Sequence, residues 1–367
     1  MRTYRFKLYK SKRNRKLHKQ INTACLIYNH CIALHKRYYK LFGKSLNLYQ
    51  LQKHITKLKK ISKFAYMKEL GSQAVQDIAE RIDRAYKLFF RNLKHKIRTA
   101  PPSFKKINKY KSFTLKQTGW KLDEASNSIT IGKQRYRYAK SREIEGKIKT
   151  ITVKRDALGD IYLYFVCETS ENEVLARTGK NVGFDFGLKT FLTASDGKDI
   201  KAPLFFRQNA NAIKMASRNL SRKAKGSNNR KKAKIALARL HKKVANQRDN
   251  FHWQIASKLV GEYALICIED LNLKAMQKRF GRKISDLGFA DFVSKLKYKA
   301  HRAGVSVIEV DRFFPSSQLC SDCGYRNTET KNLRVRKWTC PKCGTIHNRD
   351  RNASINIESE GNRIFFA

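Results

Sequence analysis

Four cysteines in the last fifty residues have the spacing of a metal-binding site. They form two pairs, each enclosing two residues, with sixteen residues between the pairs: Cys320 and Cys323, then Cys340 and Cys343. This pattern is typical of a tetrahedral zinc site with four thiolate ligands, which is closed and therefore structural. Gly324 and Gly344 follow the pairs, where tight turns around a metal favour a positive φ angle. We predict one structural Zn²⁺, with His347 as a neighbour and not a ligand.

Two acidic residues lie in strongly hydrophobic surroundings. Asp185 sits within Asn181–Gly187, and Glu269 ends the run Leu265–Glu269. A buried carboxylate is costly unless it has a partner. The partner is either a lysine or arginine, which are abundant in this sequence, or a divalent cation. Mg²⁺ prefers oxygen ligands and keeps positions open for phosphate and water.

Hydrolysis of a phosphodiester bond with two metal ions requires three or four carboxylates that converge. Two can come from neighbouring strands and a third from a helix packed against the sheet. Asp350 opens a predicted terminal helix, whereas Asp311 ends a predicted strand. The spacing alone leaves both residues as candidates for the third position. Asp270, next to Glu269, should face the other way and act as a cap or an ion-pair partner.

The charge of the chain indicates a polyanionic partner. The 80 lysines and arginines exceed the 29 aspartates and glutamates, so the net charge is +51. Such a chain would repel itself unless nucleic acid neutralised it, and its aromatic residues could stack on unpaired bases. A ribosomal or histone-like binding protein would also fit the charge alone. We name as candidate nucleic-acid contacts Tyr4, Arg5, Lys7, Tyr38, Tyr39 and Lys53.

The cellular context is predicted from what the sequence lacks. The basic N-terminus has no apolar core of the secretory type, and apolar runs stay far below the ~18 residues of a membrane span. Cys25, Cys31, Cys167 and Cys267 are scattered among apolar neighbours, which favours a reducing compartment over a disulfide framework. We expect a monomer, without membrane contact, in a prokaryotic cytoplasm and associated with the nucleoid.

Periodicity predicts several segments. Residues 3–9 alternate like a strand, and helices are expected over 13–42, over 48–70 and from Ser72 as N-cap. Strands are expected at Ser112–Lys116, Ser128–Gly132, Lys147–Val153 and Ile161–Glu168, forming a small β-barrel or sandwich that the N-terminal strand could join. Beyond residue 179 we expect a hairpin at Asn181–Ala194, helices over 207–260, a strand at Tyr263–Ile268, a helix over 289–303 and a strand at Val305–Val310. Alternating strands and helices indicate an α/β domain.

Three motifs resemble the RuvC motifs of the TnpB family of transposon-encoded nucleases. They are Gly183–Lys189 (GFDFGLK), Ile266–Asn272 (ICIEDLN) and His347–Ala353 (HNRDRNA). Leu296–Ala300, the region 314–324, Pro102–Lys106 and Ser112–Thr114 are also similar to that family. The resemblance spans most of the chain and is most specific between residues 183 and 356. It implies that Asp185, Glu269 and Asp350 are the catalytic acids, so it selects Asp350 over Asp311.

The resemblance also implies an architecture and an activity. The expected fold is multidomain α/β, with a β-barrel wedge domain, an inserted helical bundle, an RNase H-fold (RuvC-like) nuclease domain and an inserted four-cysteine zinc ribbon. The expected activity is RNA-guided cleavage of double-stranded DNA beside a short recognised motif, with a guide RNA and two Mg²⁺ bound to Asp185, Glu269 and Asp350. The expected boundaries are 1–10 (first strand of the wedge barrel), 11–100 (the inserted helical bundle, as a recognition lobe), 101–178 (wedge barrel), 179–318 (nuclease), 319–346 (zinc ribbon) and 347–367 (last motif and C-terminal helix).

Three other hypotheses about the function are compatible with the sequence. A guided or unguided repressor or accessory protein would bind nucleic acid without cutting it, although the complete set of acids argues against this. A junction resolvase would recognise DNA by shape and carry no RNA. A miniature type V CRISPR effector would share the same chemistry.

Overall fold

The chain divides into two units, Met1–Ser170 and Glu171–Ala367. The computed structural model describes residues 1–169, 179–332 and 334–367. Each unit has its own sheet and its own hydrophobic core.

The N-terminal unit contains a nearly closed sheet of seven antiparallel strands. Their order is β2-β6-β7-β1-β5-β4-β3. The first strand pairs with β7 and β5, which confirms that the N-terminal segment joins the sheet. Two strands, β3 and β5, were not predicted. The bounds are β1 Arg2–Leu8, β2 Ser112–Leu115, β3 Trp120–Asp123, β4 Ser128–Ile131, β5 Gln134–Ala139, β6 Lys147–Arg155 and β7 Ile161–Glu168.

Three α-helices and one 3-10 helix separate β1 from β2. They are α1 Asn14–Phe42, α2 Leu48–Leu58, the 3-10 helix Ser62–Glu69 and α3 Ser72–Lys94. The helix predicted over 48–70 is therefore two elements. The predicted N-cap of α3 is also wrong, because Ser72 is already helical and Gly71 occupies the cap. The apolar faces of α1 and α3 share one core with the sheet, so the helices are an insertion within the β unit.

The C-terminal unit contains a five-stranded sheet with the order β10-β9-β8-β11-β12. Strands β8, β11 and β12 run parallel, whereas β9 is antiparallel to β8 and to β10. The predicted hairpin is thus formed by β8 and β9. The bounds are β8 Asn181–Phe186, β9 Thr190–Ala194, β10 Ile200–Lys201, β11 Leu265–Glu269 and β12 Ser306–Val310.

Helices cover both faces of this sheet. Phe184 and Ile268 face a core that includes residues of α6 and α8, whereas Cys267 shares a smaller core with Ile357 of α9. A short hairpin, β13 Lys337–Thr339 with β14 Ile346–Asn348, precedes α9. The helices are α4 Phe205–Gln208, α5 Ala210–Ser221, α6 Asn228–Glu262, α7 Leu273–Leu287, α8 Phe289–Ala303 and α9 Arg349–Phe366. Among the described helices, none carries an apolar stretch that could span a bilayer.

Two glycines allow α9 to lie directly on the sheet. A Cβ atom at Gly183 of β8 would lie 2.1 Å from the carbonyl oxygen of Ser354 and 2.5 Å from the backbone nitrogen of Glu358. In α9 itself, a Cβ atom at Gly361 would lie 2.2 Å from the Sγ of Cys267. Any side chain at Gly183 would therefore push the helix backbone off the strand.

Gly183→Ala should lower the melting temperature, because the new methyl group meets the backbone of α9, which can yield only if the helix shifts on the sheet. Overpacking of this kind costs about 1–3 kcal/mol or more. The matched control is Gly261→Ala in the last turn of α6, where a Cβ meets nothing within 4 Å. That variant should be as stable as the parent or up to ~1 kcal/mol more stable. Equal melting temperatures for the two variants in calorimetry would contradict this account of the packing.

Candidate functional site

Strands β8 and β11 place Asp185 and Glu269 side by side. The strands are parallel, and Phe184 pairs with Ile268, so the next residue of each strand is an acid at the same level. Side chains alternate along a strand, so Asp185 lies on the same face as Gly183. Both acids are half-buried and lie on the face that α9 covers.

Helix α9 brings Asp350 to the same end of the sheet. Ser354 and Glu358 lie over Gly183, and Asn362, further along α9, accepts a hydrogen bond from Asn181 at the start of β8, so the helix runs against the direction of the strand. Asp350 lies four residues before Ser354, or about 6 Å along the helix axis. Asp185 lies two residues beyond Gly183, or about 6.6 Å along the strand. Asp350 and Asp185 therefore lie at nearly the same distance from the contact between Ser354 and Gly183, and in the same direction along the sheet.

The electrostatics of the cluster reflect this proximity. Burial, together with the negative charges of Glu269 and Asp350, raises the pKa of Asp185 to about 8, and the Arg349 guanidinium only partly opposes the rise. Burial and the charge of Asp270 raise the pKa of Glu269 to about 7. Near neutral pH both carboxyls resist ionisation because each is poorly hydrated and close to another negative charge. A bound cation would remove that penalty.

Two arginines outside the predicted set of site residues lie beside the cluster. The guanidinium of Arg336 is 3.2 Å from both carboxylate oxygens of Asp350. The Nε of Arg349 is buried without a hydrogen-bond partner among the described residues. Arg349 adjoins Asp350 in the chain and could have been suspected, whereas Arg336 reaches the site only through the fold.

Two other acids have different roles. Asp270 forms an ion pair with Arg312, as predicted for a residue facing away from the cluster. Asp311 accepts a hydrogen bond of 2.7 Å from the backbone N–H of Phe313 in the turn after β12. Among the two candidates for the third position, Asp350 is therefore the one whose charge acts on Asp185.

The four paired cysteines form a cluster suited to a metal ion. Their sulfur atoms all lie within 4.8 Å of one another, and none is in a disulfide. Sγ of Cys320 is 3.6 Å from Sγ of Cys343, and Sγ of Cys323 is 3.5 Å from Sγ of Cys340. In a tetrahedron with metal–sulfur bonds of about 2.3 Å, neighbouring sulfurs are separated by roughly 3.8 Å. The cluster could thus close around a single ion with little movement.

The backbone repeats one turn at both cysteine pairs. The N–H of Gly324 donates to the carbonyl of Cys320, and the N–H of Gly344 donates to the carbonyl of Cys340, at 2.9 and 2.8 Å. Both glycines have positive φ, 72° and 76°, as predicted. His347 lies beside the cluster with Nε2 3.0 Å from Sγ of Cys320, and its ring packs on Trp338. The group of side chains that could hold a metal ion consists of the four cysteines and does not include His347.

The six candidate nucleic-acid contacts differ in accessibility. The prediction that Tyr4 contacts nucleic acid is wrong, because its ring is 1% exposed in the core of the N-terminal unit and cannot stack on a base there. Lys7 is paired with Asp160, and the Tyr38 ring is half-buried against Phe42. The exposed members of the set are Arg5, Tyr39 and Lys53.

The raised pKa values predict that, in the metal-free protein, the acid cluster lowers the free energy of unfolding by an amount that depends on pH. The unfolded chain ionises near pH 4, but the folded chain holds these protons until about pH 7–8, so folding stability falls across that interval as pH rises. Asp185→Asn should escape this loss and raise the melting temperature more at pH 8 than at pH 5, by roughly 2–4 °C for each kcal/mol recovered.

The control for this measurement is Glu309→Gln, which removes an acid of β12 that is ion-paired with Lys297 and has no effect on the pKa of Asp185 or Glu269. It should lower the melting temperature slightly, or leave it unchanged, at both pH values. An Asp185→Asn effect that is the same at pH 5 and pH 8, in protein treated with a chelator, would mean that Asp185 carries no unusual pKa.

Two family models match this chain. One described as "Cas12f1-like, TNB domain" matches residues 289–357, and one described as "Probable transposase" matches residues 164–279. Two solved structures are similar over nearly the whole chain. A Cas12f1-sgRNA-target DNA complex gives a TM-score of 0.59 at 15% identity and covers 95% of this chain and 83% of the other. The mini-RNA-guided endonuclease CRISPR-Cas phi3 gives 0.54 at 10% identity, with 97% and 91% covered. This chain therefore has a Cas12f-like multidomain α/β fold.

Curated relatives match most of the chain in sequence. A Streptomyces pristinaespiralis protein named "Putative RNA-guided DNA endonuclease" is 31% identical over 341 residues, which are 92% of this chain and 83% of the relative. An Escherichia coli K12 protein, "Putative RNA-guided DNA endonuclease InsQ", is 28% identical over 93% of this chain and 87% of its own length. The mimivirus protein "TnpB-like protein L79" is 26% identical over 58% of this chain and 43% of its own length. The resemblance carried by the three motifs is confirmed, and this chain belongs to the TnpB family.

Proposed function

We propose that this protein is an RNA-guided DNA endonuclease that hydrolyses phosphodiester bonds with divalent cations held by Asp185, Glu269 and Asp350. The observation that carries the proposal is the convergence of these acids at one end of the sheet. Two of them have pKa values raised to about 8 and about 7, so the cluster is poised to gain from a cation. The names of the two relatives that span most of the chain point to the same activity.

The topology of the C-terminal unit supports an RNase H, RuvC-like fold. Three parallel strands continue into an antiparallel hairpin at one edge, and helices pack on both faces. In this arrangement the acids of β8 and β11 lie at the carboxyl ends of neighbouring parallel strands, where open α/β sheets form their binding sites. The third acid comes from the first turn of α9, whose partial positive charge favours a carboxylate there.

The chain's own groups supply a site for two Mg²⁺ and a phosphate. Asp185, Glu269 and Asp350 would bind the ions through oxygen, the ligand type that Mg²⁺ prefers. When bound, such ions lower the pKa of water and stabilise the leaving oxygen. The Arg349 guanidinium beside Asp185 offsets part of the negative charge of the acids. Arg336, now on Asp350, would be free to contact a phosphate once that carboxylate had bound a cation.

One structural Zn²⁺ is proposed for the four-cysteine cluster. The sulfur–sulfur distances of 3.5 and 3.6 Å and the two matching turns support a closed tetrahedral site. Lysines and arginines nearby, such as Lys337 and Lys342, reduce the charge of four thiolates. We assign the ion a role in folding, because all four ligand positions are filled by protein.

A guide RNA and target DNA are the proposed partners, and the α5–α6 hairpin is one surface that could hold them. From Arg207 to Arg248 the chain has fourteen lysines and arginines and no aspartate or glutamate, so the hairpin cannot neutralise itself. Its buried residues are few, with Ile213, Ala233 and Val244 among them. A phosphate backbone would relieve the mutual repulsion of these cations.

Replacing Asp185 or Glu269 with alanine should abolish Mg²⁺-dependent cleavage of guide-complementary DNA. RNA-dependent DNA binding should persist, because the acids hold cations and not the guide. Asp270→Ala is the control, since Asp270 adjoins Glu269 but pairs with Arg312, and it should retain cleavage. The experiment uses RNA co-purified with the protein, whose sequence also identifies the guide. Full cleavage by either alanine variant would refute the assignment of the acids.

Glutamine at Lys232, Lys234 and Arg239 should weaken the salt dependence of nucleic-acid binding. Each lost phosphate contact lowers the slope of log K against log salt by roughly 0.7–0.9. The control replaces Lys198, Lys258 and Lys297, which are ion-paired with Glu262 or Glu309, so net charge falls equally. Equal slopes for the two triple variants would remove the hairpin from the binding surface. Separate titrations with guide RNA and with target DNA show which backbone it contacts.

A further inference from the structure

Two buried asparagines of α9 hold the chain beside the first cysteine pair. Asn352 and Asn356 are one helical turn apart and are 1% and 7% exposed. Their side-chain amides both donate to the carbonyl oxygen of Leu319, at 2.6 and 2.8 Å. One backbone carbonyl, immediately before Cys320, thus accepts both helix side chains.

We call Asn352 and Asn356, together with the segment 316–321, the clamp. Further hydrogen bonds complete it. The backbone N–H of Ser321 donates to Oδ1 of Asn352 at 2.9 Å, so that amide is used at both ends. The amide of Asn356 also donates to the carbonyl of Ser316 at 2.7 Å. Because Leu319 and Ser321 flank Cys320, the first sulfur ligand is fixed to α9 from both sides.

The segment that leads into the β13–β14 hairpin also contacts the first residue of α9. The N–H of Arg349 donates to the carbonyl of Arg336 at 2.9 Å, and Arg336 directly precedes β13, which leads to Cys340. The same arginine contacts both oxygens of Asp350. The first turn of α9 is therefore held on one side by the segment before Cys320 and on the other by the segment before Cys340.

The body of α9 is held by different contacts. Ser354 and Glu358 pack on Gly183, and Gly361 packs on Cys267. These contacts fix the helix on the sheet but lie beyond the first turn. The orientation of Asp350 within that turn depends in addition on the clamp, whose buried amides and carbonyls would lose their partners if it opened.

We propose that the four-cysteine ribbon positions Asp350, with Asn352 and Asn356 as the positioning residues that transmit the order of the metal-bound ribbon to the first turn of α9. Neither asparagine touches the reacting atoms. The proposal rests on the function proposed above, because it gives the ribbon a role in assembling the site for the divalent cations. It predicts that the ribbon's metal and the divalent-cation site are coupled although they are separate sites.

The test compares Asn356→Ala and Asn352→Asp with the parent and with Asn362→Ala. Asp at 352 preserves the shape and the acceptor for Ser321 but removes the donor to Leu319. Asn362 is the matched control, since it lies on the same helix and accepts one hydrogen bond from Asn181 at 2.8 Å, at the end remote from Asp350. Zinc content is measured for each protein, so that loss of the ribbon itself is visible.

Three readouts follow the first turn of α9. In both clamp variants, hydrogen exchange at residues 349–353 should accelerate by about tenfold or more, and Mn²⁺ affinity should fall by about fivefold to tenfold, as losing a buried hydrogen bond predicts. The Mg²⁺ concentration for half-maximal cleavage should rise to a similar extent, and excess Mg²⁺ should restore the rate. Zinc content and RNA-dependent DNA binding should match the parent. Stripping zinc from the parent should reproduce the faster exchange.

Unchanged exchange and unchanged Mn²⁺ affinity in the clamp variants, with zinc retained, would overturn the positioning role. Equal changes in Asn362→Ala would also overturn it, because they would reflect a general loosening of the helix. The exchange and Mn²⁺ measurements decide the proposal whether or not the parent protein cuts DNA. Absence of cleavage by the parent would count against the proposed function alone.

Discussion

The contact between α9 and the backbone of β8 at Gly183 is the constraint on which the candidate site depends. Because the helix lies against the strand without an intervening side chain, Asp350 is carried to the level of Asp185. The sheet register then adds Glu269 from the neighbouring strand. Three acids are thus brought together by packing at another residue, and burial with the charges of Glu269 and Asp350 raises the pKa of Asp185 to about 8. Active sites often trade stability for such arrangements.

The C-terminal unit combines opposite electrostatic conditions within one chain. The acid cluster is a small negative site in a protein with a net charge of +51. A polyanion is attracted by the basic surface, whereas a divalent cation is attracted by the cluster. The proposed nuclease needs both, because the phosphate that reacts must approach carboxylates that would otherwise repel it. Arg336 and Arg349, beside the acids, reduce that conflict at the point where it is greatest.

Much of the site could be predicted from the sequence because its signals are local. Paired cysteines and acids within apolar strands are recognisable by spacing, and α8 was found within its observed bounds, Phe289–Ala303. Strand β5 was missed because arginines interrupt its aromatic residues, although the alternation is that of a strand with one buried face. The prediction for Tyr4 is wrong although the sequence carried a signal against it. Tyr4 alternates with Phe6 and Leu8 along β1, and this alternation places its ring on the buried face.

Contacts that depend on tertiary structure left no comparable signal. Arg336 reaches Asp350 only because the β13–β14 hairpin returns the chain to the start of α9. The roles of Asn352 and Asn356 depend on a carbonyl more than thirty residues earlier, and asparagine on a helix gives no hint of such a partner. Their burial, and the hydrogen bonds at both ends of the Asn352 amide, became apparent only in three dimensions.

The order of elements along the chain has a consequence for how the protein is made. Asp185 and Asp350 are separated by roughly 165 residues, so joining them requires closure of a long loop, which is slow in folding. As the polypeptide leaves the ribosome, β8 and β11 emerge well before the helix that covers them. The acids therefore cannot assemble before α9 has been made, and a shorter copy that stops ahead of this helix would keep the basic helices α5 and α6 but lack Asp350.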